Sequence, residues 1–526
     1  MTAYKNFGVM IDCSRNAVML PSQVKKFIDC IKKIGYDTLF LYMEDTYEIK
    51  GEPYFGHLRG RYTAEELNEI DAYAKNNGVE VIPCIQTLAH FHTLVRHDTY
   101  HNIVDFADVL LVGEEKTYQL IDRMFATISS AFSSKKIHIG MDEAKCLGLG
   151  KYLQKNGYNE PFEILKKHLR KVTDIAKKYD LQPIIWSDML FYASNNGCYY
   201  GKDIQLSPNV IDCLPNELQV AYWDYYHYEK EEYDEMIKAH EQLHKPFWFC
   251  GAVWAWCGFV PLWEKTLQTM KAAMQSVRER GVKQVMITMW GDGGKECSYF
   301  SALPLLYAIR QYADGNFDEE AICNGFFRAT GLRFNDFKLL SSLNGYDCLK
   351  DLYTCSMHLY NDCLLGFNDY FVAQNGPVPY GEYQEKLQRA KKSAGEFAYI
   401  FDNAEKLCVV LQIKYDFGLR LRKAYQENDK KSLKIIKKQC TLLLRRIDDF
   451  YKSFHRLWYI ENKPFGFEVQ TLRIGALLQR IKDCRNLLKD YLCGKLINIP
   501  ELEEAMLPFG EYNAQYLPLF SAGRYE

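Results

Sequence analysis

Residues 137–143 read Ile-His-Ile-Gly-Met-Asp-Glu, and two adjacent carboxylates, Asp142 and Glu143, close the run. The stretch alternates as a buried strand does, so the acids fall where that strand ends. Strand ends are where an α/β protein keeps its chemistry, because the scaffold is rigid there and the side chains face a crevice. Two acids held that close differ in protonation, since like charges at short range push one pKa upward. One carboxylic acid beside one carboxylate is what acid/base cleavage of a glycosidic bond requires. The same dipeptide also suits a solvated loop or a helix start, where the dipole favours acids. The surrounding elements decide between these.

Up to Tyr312 one pattern repeats: a short β-rich apolar run, a loop, then an amphipathic helix. The runs lie at 7–12, 38–42, 79–85, 136–140, 182–186, 219–223, 246–251 and 284–289, with helical stretches such as 21–34, 64–77, 118–130, 162–179 and 229–243 between them. Pro21 suits a first helical turn, Thr63 with Glu66 suits a capping box, and Asn77-Gly78 supplies a stop. Eight such units predict a (β/α)8 TIM barrel. An open doubly wound sheet is the competing layout, but Asp12-Cys13-Ser14-Arg15 stands where its glycine-rich turn would follow the first strand. After Tyr312 strand-like alternation fades, and Gly315-Asn316 makes a boundary. The expected organisation is an α/β barrel over 1–314 followed by an all-α C-terminal domain over 315–526, with long helical stretches at 382–426, 431–452 and 469–493. The lysine pairs at 430–431 and 437–438 have acids interspersed around them and read as solvated faces.

In a barrel the carboxyl ends of all the strands surround one pocket. Asp12 and Arg15 follow the first strand, Glu44 and Asp45 the second, Gln86 and His90 the third, and Asp142 and Glu143 the fourth. Trp186 and Asp188 follow the fifth, and Trp223, Asp224 and Tyr225 the sixth. Trp254 and Trp256 follow the seventh, and Trp290 and Asp292 the eighth, with Glu296 nearby. Five of the 8 tryptophans thus fall at strand ends. A tryptophan-lined well with polar groups at its rim is a carbohydrate pocket, with room for one or two of these rings to be barrel core instead. His97 and His101 have the i,i+4 spacing of a helical zinc pair. HExxH is absent and no cysteine cluster accompanies them, so a polar loop without metal or other cofactor is expected, with His90 on the substrate side.

At 526 residues the chain exceeds one ordinary core, and 48% hydrophobic with 25% charged residues is the balance of a soluble globular protein. A net charge of −2 offers nothing to steer the protein toward nucleic acid or an anionic membrane. No apolar stretch approaches a membrane span. The N-terminus has no apolar signal core, and the 17 scattered cysteines read as reduced thiols. A cytoplasmic location is the expectation.

These residues resemble glycoside hydrolase family 20, the exo-β-N-acetylhexosaminidases. His138-Ile-Gly-Met-Asp142-Glu143 is similar to that family's H-x-G-G-D-E motif, and Asp12-Cys-Ser-Arg15 to its D-x-x-R. Gln86-Thr-Leu-Ala-His90 occupies the place of its D-x-P-G-H, and the tryptophans after strands five to eight match its aromatic pocket. The hexosaminidase D type, with a helical C-terminal domain in bacterial members, is the most similar subgroup. Met141 departs from the family glycine. Gln86, Leu88 and Ala89 stand where the family has Asp, Pro and Gly, which leaves His90 without that motif's own carboxylate.

The resemblance implies an exo-acting, retaining enzyme that removes terminal β-linked GlcNAc and/or GalNAc from an oligosaccharide or glycoconjugate. In that family the substrate's own 2-acetamido oxygen attacks the anomeric carbon. Glu143 would then be the general acid and base, Asp142 would accept the acetamido N–H, and Tyr225 would donate to the acetamido oxygen. Trp186, Trp223, Trp254, Trp256 and Trp290 would wall the pocket. Arg15 would hold sugar hydroxyls, His90 would lie against the substrate, and Asp292 or Glu296 would bind O4 or O6. Two alternatives stay open: a retaining β-glycosidase whose nucleophile is Asp188 or Asp224, and a non-catalytic carbohydrate-binding barrel. The helical domain would shape the pocket rim or pair two copies as a homodimer.

Overall fold

The computed structural model describes residues 4–345 and 352–508. Among them, eight parallel strands close a barrel: β1 (Asn6–Asp12), β2 (Thr38–Tyr42), β3 (Glu80–Cys84), β4 (Lys136–His138), β5 (Gln182–Trp186), β6 (Gln219–Trp223), β7 (Phe247–Ala252) and β8 (Gln284–Met289). Each pairs with its neighbours in chain order, and β8 returns to β1 with Asn6 opposite Gln284. The strands are mostly apolar along their middles because both faces are covered; all of β1 and all of β8 are buried. Inside, Met10, Phe40, Ile82, Ala221, Trp248 and Met286 fill the barrel. Phe40 meets Trp248 edge-on at 5.1 Å. A Cβ on Gly8 would lie 2.7 Å from the Phe40 ring, so the large residue is accommodated by the smallest one.

The first two crossover helices start where their end signals predict. In α1 (Pro21–Lys33) the proline sits in the first turn. In α2 (Ala64–Asn76) the Thr63 hydroxyl accepts from the Glu66 N–H at 3.2 Å and the Glu66 carboxylate accepts from the Thr63 N–H at 2.9 Å. Further around lie α3 (Glu115–Ala131), α4 (Pro161–Lys178) and α5 (Lys230–Glu241). A small antiparallel ribbon, Val104–Phe106 with Val109–Leu110, decorates the loop after β3. Each of its strands is too short for an alternation to register in the sequence.

The chain divides into two compact units. The first comprises Met1–Val253, Thr266–Trp290 and Leu305–Gly325; the second comprises Trp254–Lys265, Gly291–Pro304 and Phe326–Glu526. Two loops that follow β7 and β8 therefore group with the helical unit, where a single break at 314 was expected. Within the second unit the expected stretch 382–426 is three helices, α6 (Tyr380–Ala390), α7 (Ala398–Lys414) and α8 (Phe417–Gln426). A short 3₁₀ turn at Gly395–Phe397 and a break before Asp416 separate them. They are followed by α9 (Lys430–Glu461) and α10 (Phe467–Leu492). Leu433, Ile436, Cys440, Leu443, Ile447 and Phe450 repeat at three- and four-residue steps and bury one face of α9. Lys430, Lys431 and Lys438 are exposed. No helix among the described residues is long and apolar enough to cross a membrane, and the described cysteines are free thiols.

Candidate active site

The site is built where β4 stops. Its ladder ends at His138, two residues before the expected end, and the backbone then turns left-handed at Gly140 (φ 71°), Met141 (φ 70°) and Glu143 (φ 50°). A Cβ on Gly140 would lie 1.9 Å from the Gln86 side-chain oxygen, so glycine is required there. Asn16, Glu44 and His90, in the segments after β1, β2 and β3, also have φ between 49° and 75°. Left-handed non-glycine residues are uncommon and gather where side chains must be aimed. Four consecutive strand ends each carry at least one.

The two acids occupy different surroundings. The Glu143 side chain is 50% exposed and that of Asp142 13%. Both Asp142 oxygens are engaged: the Gln86 side-chain N–H donates to Oδ1 at 2.9 Å, and His90 Nε2 lies 3.1 Å from Oδ2. Burial alone would raise the Asp142 pKa, but the charge and hydrogen bond of His90, together with the Gln86 bond, hold it below the ordinary carboxylate range. Burial likewise opposes the His90 imidazolium, yet Asp142 outweighs it, helped by Glu44, and the His90 pKa is pushed up to about 9. At neutral pH the pair is therefore Asp142⁻ with His90⁺. The carboxylate that the strand-three motif lacks is thus Asp142 itself. The backbone N–H of His90 donates to Asp108 of the ribbon turn at 3.0 Å, which ties the histidine loop down.

Arg15 belongs to the same mouth. Its guanidinium donates to Glu44 Oε1 at 2.5 Å and to the Ser14 hydroxyl at 2.6 Å, and Asp12 in turn accepts from the Ser14 N–H and hydroxyl. The Tyr42 hydroxyl donates to the same Glu44 oxygen at 2.9 Å. Burial raises the Glu44 pKa against the pull of Arg15.

Below the acids, Asp188 accepts from the Glu143 backbone N–H at 2.9 Å. Full burial, reinforced by the Asp142 charge, pushes the Asp188 pKa far above the ordinary carboxylate range, which favours its protonated form. His138 packs on Trp186 with ring centroids 4.3 Å apart, and burial lowers its pKa to about 3. Trp186 is 2% exposed and belongs to the barrel core, with Trp290 packed beside it at 6.0 Å. Trp186 thus floors the mouth rather than lining an open wall. Trp223 stacks on Tyr225 at 5.8 Å, and both stand at the end of β6. Asp224 is fully buried, accepting from the Tyr222 hydroxyl at 2.7 Å and paired with His227 at 2.8 Å.

Four expected site residues lie in the second unit. Trp254 and Trp256 stack with centroids 4.4 Å apart, and the Lys265 ammonium sits 4.5 Å from the Trp254 centroid. Asp292 opens the short 3₁₀ turn Asp292–Gly294. Glu296 is 4% exposed; its Oε1 accepts from the Tyr360 hydroxyl at 2.6 Å and from Arg473 at 3.2 Å, and its Oε2 accepts from Ser356 at 3.3 Å. Both oxygens of this acid are already bound by the protein.

His90, Asp142 and Glu143 present ligand atoms within 4.8 Å of one another, the one such group found among the described residues. At neutral pH His90 directs a proton, not a lone pair, toward the acids, and metal coordination needs the reverse. Tyr42 escaped selection from the sequence, whereas Gln86 was placed at the pocket mouth but given no role there. A cavity of about 520 Å³ begins at Ala144 and Lys145, directly after the acid pair, and continues along Phe162, Met189 and Tyr192.

An acid pair at the carboxyl end of β4, one member enclosed and charged and the other open to solvent, is the arrangement of a glycosidase barrel. Residues 4–243 match the model "Glycosyl hydrolase family 20, catalytic domain", and residues 348–518 match "Glycoside Hydrolase 20C C-terminal domain"; the chain belongs to glycosyl hydrolase family 20. Among curated proteins it is 23% identical to Hexosaminidase D of Homo sapiens over 214 residues, covering 39% of this chain and 42% of that protein. It is 26% identical to Hexosaminidase D of Bos taurus over 208 residues (37% and 56%), and 26% identical to the β-hexosaminidase of Vibrio furnissii over 274 residues (40% and 44%). The chain thus spans about half the length of the curated relatives it matches. Among solved structures, the GH20 exo β-N-acetylglucosaminidase of Vibrio harveyi in complex with N-acetylglucosamine aligns with a TM-score of 0.48 at 15% identity, over 64% of this chain and 58% of that one.

Proposed function

We propose that the protein is an exo-acting, retaining β-N-acetylhexosaminidase that removes terminal β-linked GlcNAc, GalNAc or both from glycans by substrate-assisted catalysis. The observation that carries this reading is the unequal pair at the end of β4. Asp142 is enclosed, ionised and held at both oxygens, so it suits a fixed acceptor for the acetamido N–H and a counter-charge to the developing oxazolinium. Glu143 is exposed beside it, as a group that protonates a leaving oxygen and then activates water must be. Tyr225, beside Trp223, donates to the acetamido oxygen. Trp186 and Trp290 floor the sugar, and Arg15, held by Glu44, binds its hydroxyls.

The rival with an enzyme carboxylate as nucleophile is disfavoured by the surroundings of its candidates. Asp188 is buried in surroundings that oppose its charge, and Asp224 is buried and committed to Tyr222 and His227. Release of nitrophenol from the paired GlcNAc and GalNAc β-glycosides, with the matching glucoside as control, tests the reading. Hydrolysis of the N-acetyl substrates with a nearly inert glucoside supports it; equal rates on all three would refute it. A thiazoline mimic of the oxazoline should inhibit, and a 2-fluoro sugar should not label the protein.

A further inference from the structure

The Gln86 side chain follows β3 and is fully buried. One amide N–H donates to Asp142 Oδ1 at 2.9 Å, the other to the Tyr42 hydroxyl at 3.0 Å, and the amide oxygen accepts from the Met141 N–H at 3.3 Å. These three bonds fix which end of the amide is which. Turned over, the oxygen would face the Asp142 carboxylate and the NH₂ would face a backbone N–H. Gly140 leaves the space in which the amide oxygen sits.

We propose that Gln86 is a positioning residue for Asp142: a neutral donor that clamps one carboxylate oxygen while His90 clamps the other, so that the acid stays charged and aimed. This rests on the reading of Asp142 as the group that orients the substrate amide. The mouth holds many acids: Asp12 after β1, Glu44 after β2, Asp142 and Glu143 after β4, and Asp188 after β5. Against them stand the cations Arg15 and His90, with neutral His138 and Tyr42 alongside. A further carboxylate at position 86 would compete with Asp142 for charge, whereas an amide binds it without adding any. The second amide hydrogen extends the clamp. Through the Tyr42 hydroxyl and Glu44 it reaches Arg15, so the acid that would orient the acetamido group and the cation that would hold the sugar hydroxyls share one hydrogen-bonded chain.

Gln86→Glu keeps the shape and exchanges the donor for a titrating group. Comparison with wild type from about pH 5 to pH 9 on the nitrophenyl N-acetylglycoside reads the inference. At the acid end the introduced carboxyl is protonated and still donates to Asp142, so kcat stays within a few-fold of wild type. As pH rises that carboxyl ionises, and kcat falls a further roughly 10- to 100-fold relative to wild type, as expected for one to two pKa units of repulsion. A lesion of packing alone would give a ratio that does not change with pH, and that result overturns the inference. Gln86→Leu, alone and combined with Asp142→Asn, serves if the charged variant fails to fold. The leucine variant should lower kcat in the wild-type background and add little once Asp142 is neutral, while additive losses would overturn the inference. A wild-type protein without turnover would overturn the functional reading and this inference with it. An active wild type with a flat ratio overturns the inference alone.

Discussion

His90 Nε2 lies 3.1 Å from Asp142 Oδ2 and 3.9 Å from Glu143 Oε2, so one imidazole stands between the enclosed acid and the exposed one. Its charge does two things at once: it keeps Asp142 ionised, and it places a positive group beside Glu143, the side chain proposed to give up and regain a proton.

The first prediction concerns pH. The His90 pKa is raised from 6.5 to about 9 in the folded protein, so its ion pair with Asp142 contributes stability that is fully present below pH 6.5 and is lost as pH rises through about 9. The melting temperature should fall over that window more steeply in wild type than in His90→Gln. The alkaline limb of kcat/KM should lie near the same pH. An unchanged alkaline limb in His90→Gln would assign it to another group.

Glu143→Gln should lower kcat by roughly 10²–10⁴-fold, the scale of a lost acid/base group. The deficit should shrink for an aglycone that departs readily, because such a leaving group needs little protonation. Near-normal turnover of the variant on a poor leaving group would remove Glu143 from the role.

Asp188→Asn separates the two retaining mechanisms. Burial and the Asp142 charge favour the protonated form of the native carboxyl, whose Oδ2 accepts the Glu143 N–H, and an asparagine oxygen does the same. Turnover should stay within about 10-fold of wild type, since an isosteric neutral acceptor is retained. A loss of several orders of magnitude, with covalent labelling of the wild type by a 2-fluoro sugar, would instead make Asp188 the nucleophile.

Arg473→Ala should destabilise the second unit by about 3–5 kcal/mol, the usual scale for stripping the partner from a buried charge. Arg473 donates to the Gly293 carbonyl as well as to Glu296. Chemical denaturation followed by the tryptophan signal measures the loss. A midpoint unchanged from wild type would mean that Glu296 takes up a proton at little cost.

Much of this architecture is readable from residues alone, for physical reasons. The strands of a covered barrel are largely apolar, so each stands out between helices, some with caps that mark their ends, as Thr63 and Glu66 do for α2. Asp142 and Glu143 are legible because the alternation of 137–141 says where the strand must stop. Partners distant in sequence are less legible. Glu296 follows the last strand as a sugar-binding acid would, and only the fold reveals that Arg473, 177 residues later, together with Tyr360 and Ser356, already occupies it. Trp254 looks like a rim tryptophan from its place after β7, yet it is 2% exposed and stacked on Trp256. The missing motif carboxylate beside His90 misleads for the same reason, because Asp142 arrives from a different strand.

The excursions at Trp254–Lys265 and Gly291–Pro304 bear on how such a protein can be inherited. A chain that gives two of its barrel loops to the helical unit, and takes the polypeptide back each time, cannot gain or lose that unit by a simple end-to-end fusion of genes. Phe259 packs against Tyr360, Phe450 and Phe454, and the Gly294 carbonyl accepts from Gln470. A shortened product ending near residue 314 would expose that apolar surface and strip Glu296 of Ser356, Tyr360 and Arg473. Barrel and helices are therefore expected to descend as one indivisible gene, with loop and helix residues changing in concert.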